Sequence, residues 1–169
     1  NAFYNSNISE VSIKGDLEII EEYAFWGCYY LKEIDLPDSI YQIDQFAFAN
    51  SAITEIKLPE SLTKIDKSLF ANCYNLKSLY IGSKVEEIVI YYFVQTLMGP
   101  QLVISFTCPN LEKIVVNPDN KNFHSEDGIL FNKTHSKVLL VPQNVNFTSY
   151  KFDDSIKTVG EYAFYKSQI

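Results

Sequence analysis

The amino-acid sequence predicts a solenoid, α/β or mainly β, with about 22–23 residues per repeat. Three observations predict it. Residues 31–48, LKEIDLPDSIYQIDQFAF, return almost intact at residues 53–70 as ITEIKLPESLTKIDKSLF. Ile20, Ile43, Ile65 and Ile88 lie 23, 22 and 23 residues apart, and Phe3, Phe25, Phe48, Phe70 and Phe93 keep the same beat. The chain of 169 residues holds 12 Tyr and 12 Phe, a composition that favours strands over long helices. A period in the low twenties marks repeats that bury a shared core by stacking on their neighbours.

The elements follow in order. Phe3 opens on the Phe beat, and Val11-Ser12-Ile13 alternates as a short strand with one buried face. Leu17 and Ile20 start the next repeat, residues 21–25 form a helical turn or tight bend, and Leu31, Ile34 and Leu36 form a strand. Pro37 ends that strand because proline lacks the N–H that an interior ladder needs. Ile53, Ile56 and Leu58 repeat the strand and Pro59 ends it; Leu76, Leu79 and Ile81 repeat it again, with Gly82 in place of proline. One strand per repeat is expected to pair in parallel with its neighbours, so that Ile20, Ile43 and Ile65 form one column and Leu36, Leu58 and Ile81 another.

Residues 95–107 break the pattern. Met98-Gly99-Pro100 reads as a turn, and Leu102-Val103-Ile104 as an extra strand or a divergent repeat. The pattern recovers at Cys108, Leu111, Ile114 and Val116. Residues 119–155 depart again as a hairpin-like insert: a turn at Asp127-Gly128, a strand at 129–131, a polar turn at 132–136 and a strand at 138–141. Ile156, Val159 and Tyr162-Ala163-Phe164 then restart the repeat. The chain begins and ends inside a repeat, so it reads as one solenoid segment, 1–169, of a longer protein.

Between the buried strand positions run two outward columns. One is Glu10, Glu33, Glu55, Ser78 and Lys113; the other is Ser12, Asp35, Lys57, Tyr80 and Val115. The buried columns hardly vary in chemistry, whereas these do. Solenoids use such a face for extended contacts, so these ten residues are the candidate interaction face, for a protein or glycan partner.

Other chemistry is sparse. Net charge is −7, there is no arginine and the 14 lysines form no block, which disfavours nucleic acid. No apolar run reaches 18 residues, so this segment has no helix-type membrane span. Cys28, Cys73 and Cys108 each precede Leu31, Leu76 and Leu111 by three residues, a slot for a small buried residue that Ser51 also fills. No cysteine spacing suits a zinc site; His124 and His135, with Glu126 and Asp127 nearby, are side chains of the metal-binding kind, but their spacing matches no known site type and they read as polar loop residues. Asp44 and Asp66 recur with the period, which points to a turn role in accepting backbone N–H bonds. No catalytic motif and no cofactor motif is present, and a catalytic carboxylate pair would be singular where these are periodic. Sequons stand at Asn7, Asn132 and Asn146, the last two in expected loops.

The repeat Leu31, Ile34, Leu36-Pro37, Ser39-Ile40, Ile43, Ala47-Phe48, with Ser51 in the small-residue slot, resembles the BspA-like, or Treponema pallidum-type, leucine-rich repeat family. The copy from Ile53 to Cys73 carries the same pattern, with Leu69 in place of alanine, and residues 117–142 resemble an insert often found between such repeats. The resemblance implies a right-handed superhelix with a parallel sheet on one face, no catalytic residues, and a surface or secreted protein that adheres to host proteins or other cells. An intracellular scaffold, cytoplasmic, and a stalk that displays another domain are the alternatives.

Overall fold

The computed structural model describes residues 2–66 and 68–169. Fifteen short strands follow one another: β1 (Glu10–Val11), β2 (Ile19–Ile20), β3 (Glu33–Ile34), β4 (Gln42–Ile43), β5 (Glu55–Lys57), β6 (Lys64–Ile65), β7 (Ser78–Ile81) and β8 (Glu87–Ile88). After these come β9 (Tyr91–Thr96), β10 (Gly99–Ile104), β11 (Lys113–Val116), β12 (Phe123–Glu126), β13 (Ile129–Asn132), β14 (Lys137–Leu140) and β15 (Thr158–Val159). The described residues contain no helix, so the fold is a mainly-β solenoid. The segment at 21–25 resolves to a turn.

Each regular repeat contributes two strands, where one was expected. The first row pairs β1 with β3, β5 with β7, and β7 with β11, all in parallel. The second row pairs β2 with β4 and β6 with β8 in parallel, with Ile20 opposite Ile43 and Ile65 opposite Ile88. Two strands form because the repeat has two apolar beats separated by a proline or glycine turn. Each beat pairs its backbone with the neighbouring repeat. Gly82 is required where it stands: a Cβ there would lie 2.8 Å from the Pro59 carbonyl oxygen.

The third side of each repeat is a tight double turn. Two positions in it have positive φ. Tyr23, Phe46, Ser68 and Tyr162 take the first, at 51–60°; Asn5, Gly27, Asn50, Asn72 and Lys166 take the second, at 54–69°. Asparagine and glycine are the residues that tolerate the left-handed region. Aromatic residues tolerate it poorly, and here Tyr23 and Phe46 stack at 5.3 Å, so that interaction between repeats offsets the backbone cost. Backbone bonds tie turn to turn: Phe25 N–H to Ala47 at 2.8 Å, Gly27 N–H to Ala49 at 2.9 Å, Asn50 N–H to Ala71 at 2.8 Å.

Inside the turn runs a column of phenylalanine rings. Phe3, Phe25, Phe48 and Phe70 stack at 5.3, 5.4 and 6.1 Å. The next ring is Phe106, 6.4 Å from Phe70. Phe93 is not in the column; it is 58% exposed, whereas Phe106 is 4% exposed. The sequence spacing misplaces Phe93 because β9 and β10 form an antiparallel hairpin, Tyr91 opposite Ile104 and Thr96 opposite Gly99, that leaves the stack and returns to it. The hairpin turn falls at Leu97-Met98, and Gly99 and Pro100 already belong to β10.

The second departure is a three-stranded antiparallel meander, β12-β13-β14, whose last strand pairs in parallel with β15. It therefore hands the parallel row on to the final repeat. Asn120, expected only as part of a polar stretch, is fully buried at the join. Its amide donates to the Gly82 and Val85 carbonyls at 2.8 and 3.1 Å, and its oxygen accepts the N–H groups of Asn122 and Phe123, both at 2.8 Å.

Candidate functional site: the outward strand face

The ten sequence-selected residues fall on the first strand row or just beside it. Cross-strand register places Glu10 beside Glu33, Glu55 beside Ser78, and Ser78 beside Lys113. Lys57 lies beside Tyr80, and Tyr80 beside Val115. Side chains two apart on a strand share a face. Ile34, Ile56, Leu79 and Ile114 between them point inward and are buried. Eight of the ten outward residues are exposed; Ser78 and Tyr80 are half-buried. An open groove of about 710 Å³ runs across the face, from Glu33 and Asp35 past Glu55 and Lys57 to Tyr80.

Charge changes sign along this face. Glu10, Glu33 and Asp35 dominate one end, Lys57 and Lys113 the other. Like charges directly opposite each other on neighbouring strands are destabilising. Among the described residues no cation lies within 4.0 Å of Glu10, Glu33 or Glu55. The acidic column therefore faces water without an internal partner. Lys57 instead sits 5.4 Å from the Tyr80 ring centroid.

At the edge of the face Tyr80 donates to Glu60 Oε1 at 3.2 Å. Glu60 Oε2 accepts the Ser83 N–H at 2.7 Å, and both oxygens accept from the Asn117 amide at 3.2 Å. Burial pushes the Glu60 carboxyl up, but these donors outweigh it and hold the group below its ordinary value of 4.5. The acid of the Leu-Pro-acid-Ser motif thus pins the next repeat. Asp38 does the same for the Glu60 N–H at 2.9 Å. The serine pins the preceding repeat: Ser39 donates to the Leu17 carbonyl at 2.7 Å, and Ser61 to the Asp38 carbonyl. Asp44 differs from expectation. Its carboxylate accepts the Gln42 side-chain amide at 2.7 Å, while its backbone carbonyl makes the turn bond to Ala47.

The three cysteines are free and buried. Each thiol donates to a phenylalanine carbonyl of an earlier turn: Cys28 to Phe3 at 3.2 Å, Cys73 to Phe48 at 3.1 Å, Cys108 to Phe70 at 3.2 Å. Burial pushes the Cys73 thiol up to about 11, so it stays protonated and unreactive at neutral pH. The slot selects a small side chain: each of these carbonyls already accepts a backbone N–H within its own turn, so the thiol adds a second donor, and at Ser51 a hydroxyl fills the slot 3.6 Å from the Cys73 thiol.

The structure draws His124 and His135 together with Glu126, but not with Asp127, which accepts the Tyr150 hydroxyl at 3.2 Å. Of the sequons, Asn132 has its side chain committed: its oxygen accepts the N–H groups of Ser136 and Lys137 at 2.9 and 2.8 Å. Asn7 and Asn146 are exposed. Two exposed aromatic and apolar features escaped sequence reasoning. Tyr29, Tyr30 and Tyr74 follow the cysteine slots on the turn side, and Phe93, Leu97 and Met98 project from the β9–β10 hairpin. The tyrosines carry a sequence signal, the position after the cysteine. The hairpin's first strand carries none, since Phe93 coincides with the expected repeat beat.

A short parallel row with a fixed apolar inside and a variable polar outside defines a leucine-rich repeat solenoid. The chain belongs to the BspA-type leucine-rich repeat family, whose repeat region matches in six copies over residues 1–115 and 141–169. The unmatched residues between contain the whole of β12, β13 and β14. No curated protein sequence matches the chain. Solved structures share the fold. A leucine-rich repeat protein from Eubacterium ventriosum is 22% identical, with a TM-score of 0.69 over 95% of this chain and 45% of its own. A leucine-rich cell surface protein from Faecalibacterium prausnitzii is 21% identical, with a TM-score of 0.56 over 92% of this chain and 45% of its own. The pneumococcal vaccine antigen PcpA is 19% identical, with a TM-score of 0.52 over 88% of this chain and 48% of its own. The chain thus spans less than half the length of each. No helix among the described residues is long and apolar enough to cross a membrane.

Proposed function

We propose that this chain is a non-catalytic recognition module of a cell-surface or secreted protein, and that it binds a protein or glycan partner through the outward strand face. The observation that carries the reading is the unneutralised column Glu10, Glu33 and Glu55 on an open face above an invariant apolar core. Stacked like charges destabilise the free chain slightly, and a partner that supplies cations removes that repulsion. A protein surface rich in lysine or arginine fits this end best. Two solved structures of the same fold are described as a leucine-rich cell surface protein and a vaccine antigen, which supports a surface location.

The test is binding of the chain to extracellular-matrix proteins and to intact cells, with and without the charge reversal E33K/E55K. Both side chains are exposed, so folding is expected to be unchanged while binding falls at least tenfold. Equal binding by both forms would rule this face out. The free thiols favour an intracellular scaffold as the second reading. Antibody labelling of intact against permeabilised cells separates the two, since only a surface protein is labelled without permeabilisation.

A further inference from the structure

The meander holds three side chains whose arrangement neither the strand ladders nor the outward face explains. His124 and Glu126 are two apart on β12 and so share a face. His135 comes from the β13–β14 turn with φ of 53°. His124 Nε2 lies 3.6 Å from Glu126 Oε2, and His135 Nδ1 lies 3.8 Å from the same oxygen. One donor atom from each of the three residues falls within a 4.8 Å cluster. These separations are too long for hydrogen bonds. They are close to the edge of a donor polyhedron around a zinc-like ion, about 3.3–3.5 Å for bonds of about 2.0–2.1 Å.

A second observation concerns His135 alone. Its Nδ1 is buried and has no hydrogen-bond partner. Its other nitrogen, Nε2, faces Asp153 Oδ2 at 3.4 Å. Asp153 is fixed in turn: its Oδ1 accepts the Ser155 N–H at 2.7 Å and the Ser155 hydroxyl as well. The Ser155 hydroxyl also lies 2.9 Å from the His135 carbonyl, so its one proton is shared between that oxygen and Asp153, and the imidazole packs on the Phe131 ring at 4.3 Å. A carboxylate on one imidazole nitrogen holds the proton there and turns the lone pair of the other toward the cluster. Ligating histidines are oriented in this way. An orphaned ring nitrogen aimed at a carboxylate and a second imidazole is costly unless something binds it.

The geometry points to a binding site for a divalent transition-metal ion of the zinc class. His124 Nε2, Glu126 Oε2 and His135 Nδ1 are its ligands, and Asp153 is the positioning residue. Two imidazoles and one carboxylate suit zinc, nickel or copper, whereas calcium and magnesium require mostly oxygen donors. Three protein donors leave a coordination position open, and the exposure of His124 and Glu126 directs it to solvent. The ion would tie β12 to the β13–β14 turn, a structural clip on the element that carries the row to the last repeat.

The experiment is calorimetric titration of Zn2+ into the chain at neutral pH, with Co2+ absorption as the spectroscopic probe. One saturable site is expected, with affinity falling at least tenfold in H124A and in E126Q. Both side chains are on the surface, so circular dichroism should be unchanged. D153N is expected to weaken binding by about tenfold or more while the Co2+ spectrum keeps its shape, as for an orienting partner. Zn2+ should also raise the Tm of the native chain but not of H124A/E126Q. Failure to bind Zn2+, equal binding by H124A/E126Q, or a thiolate charge-transfer band that places Co2+ at a cysteine would each overturn the assignment.

Discussion

Residues 17–81 and residues 91–140 solve the same problem, satisfying backbone groups at the edge of a repeat, in different ways. In the first region backbone bonds tie turn to turn, the Asp38, Ser39, Ser61 and cysteine side chains repeat their bonds with the period, and each column residue has a counterpart one repeat away. Phe25 lies on Phe48, and the Ser51 hydroxyl lies 3.6 Å from the Cys73 thiol. In the second region pairing is local and antiparallel, and single side chains make the joins to the stack. Thr107 Oγ1 accepts the Asn72 N–H at 2.7 Å, and Ser125 Oγ accepts the Val116 N–H at 2.9 Å. Asn120 closes the Gly82 and Val85 carbonyls. A solenoid therefore admits an insertion wherever one polar side chain can stand in for the missing backbone partner, because a buried unpaired group is what makes a break costly.

The comparison can be sharpened at three strengths. The largest effect is expected at Phe106, which continues the ring column beyond the hairpin. Phe106→Ala should lower the unfolding free energy by about 3–5 kcal/mol in urea titration. A loss below about 1 kcal/mol would mean that the column ends at Phe70. Next is Asn120→Ala, expected to cost about 2–3 kcal/mol because it removes the donor of the Gly82 carbonyl and the acceptor of two N–H groups, and leaves the Val85 carbonyl only a long bond from the Asn122 amide. Native-state hydrogen exchange should show the lost protection concentrated in residues 120–140. Uniform loss along the stack would show that the meander is not a separate unit.

A smaller effect is expected at Glu60, which lies in the first region beside Tyr80 and reaches the second through Asn117. Its pKa is lowered on folding, so its contribution is fully present above the ordinary value of 4.5 and is lost as pH falls through the folded value. Stability of the native chain should decline in that acid range more steeply than that of Glu60→Gln. Parallel curves would mean that the three donors contribute nothing.

The regular region was legible because its signals are local and repeat. Proline marks strand ends, small residues fill the thiol slot, and isoleucine and phenylalanine mark stacked columns. The outward residues followed directly, since strand alternation assigns them once the inward set is known. The second strand row was missed because Ile43 and Ile65 each stand alone between polar neighbours and Ile19-Ile20 is only two residues long, with no run to mark a strand. Phe93 was misplaced for a different reason. Nothing in YYFVQT distinguishes an outgoing hairpin strand from a repeat beat, and the ring that replaces it depends on where a non-local pairing returns the chain. His124, Glu126 and His135 were visible as a group of metal-binding side chains, but their contact was not, because β12 and the β13–β14 turn meet only through the meander, which leaves Asp127 out.

The most direct test is the stability of Phe93→Ala. If the hairpin lies outside the stack, this variant unfolds within about 0.5 kcal/mol of the native chain, as expected for an exposed substitution. A loss of about 3–5 kcal/mol, equal to that of a buried column ring, would contradict the account and return Phe93 to the core.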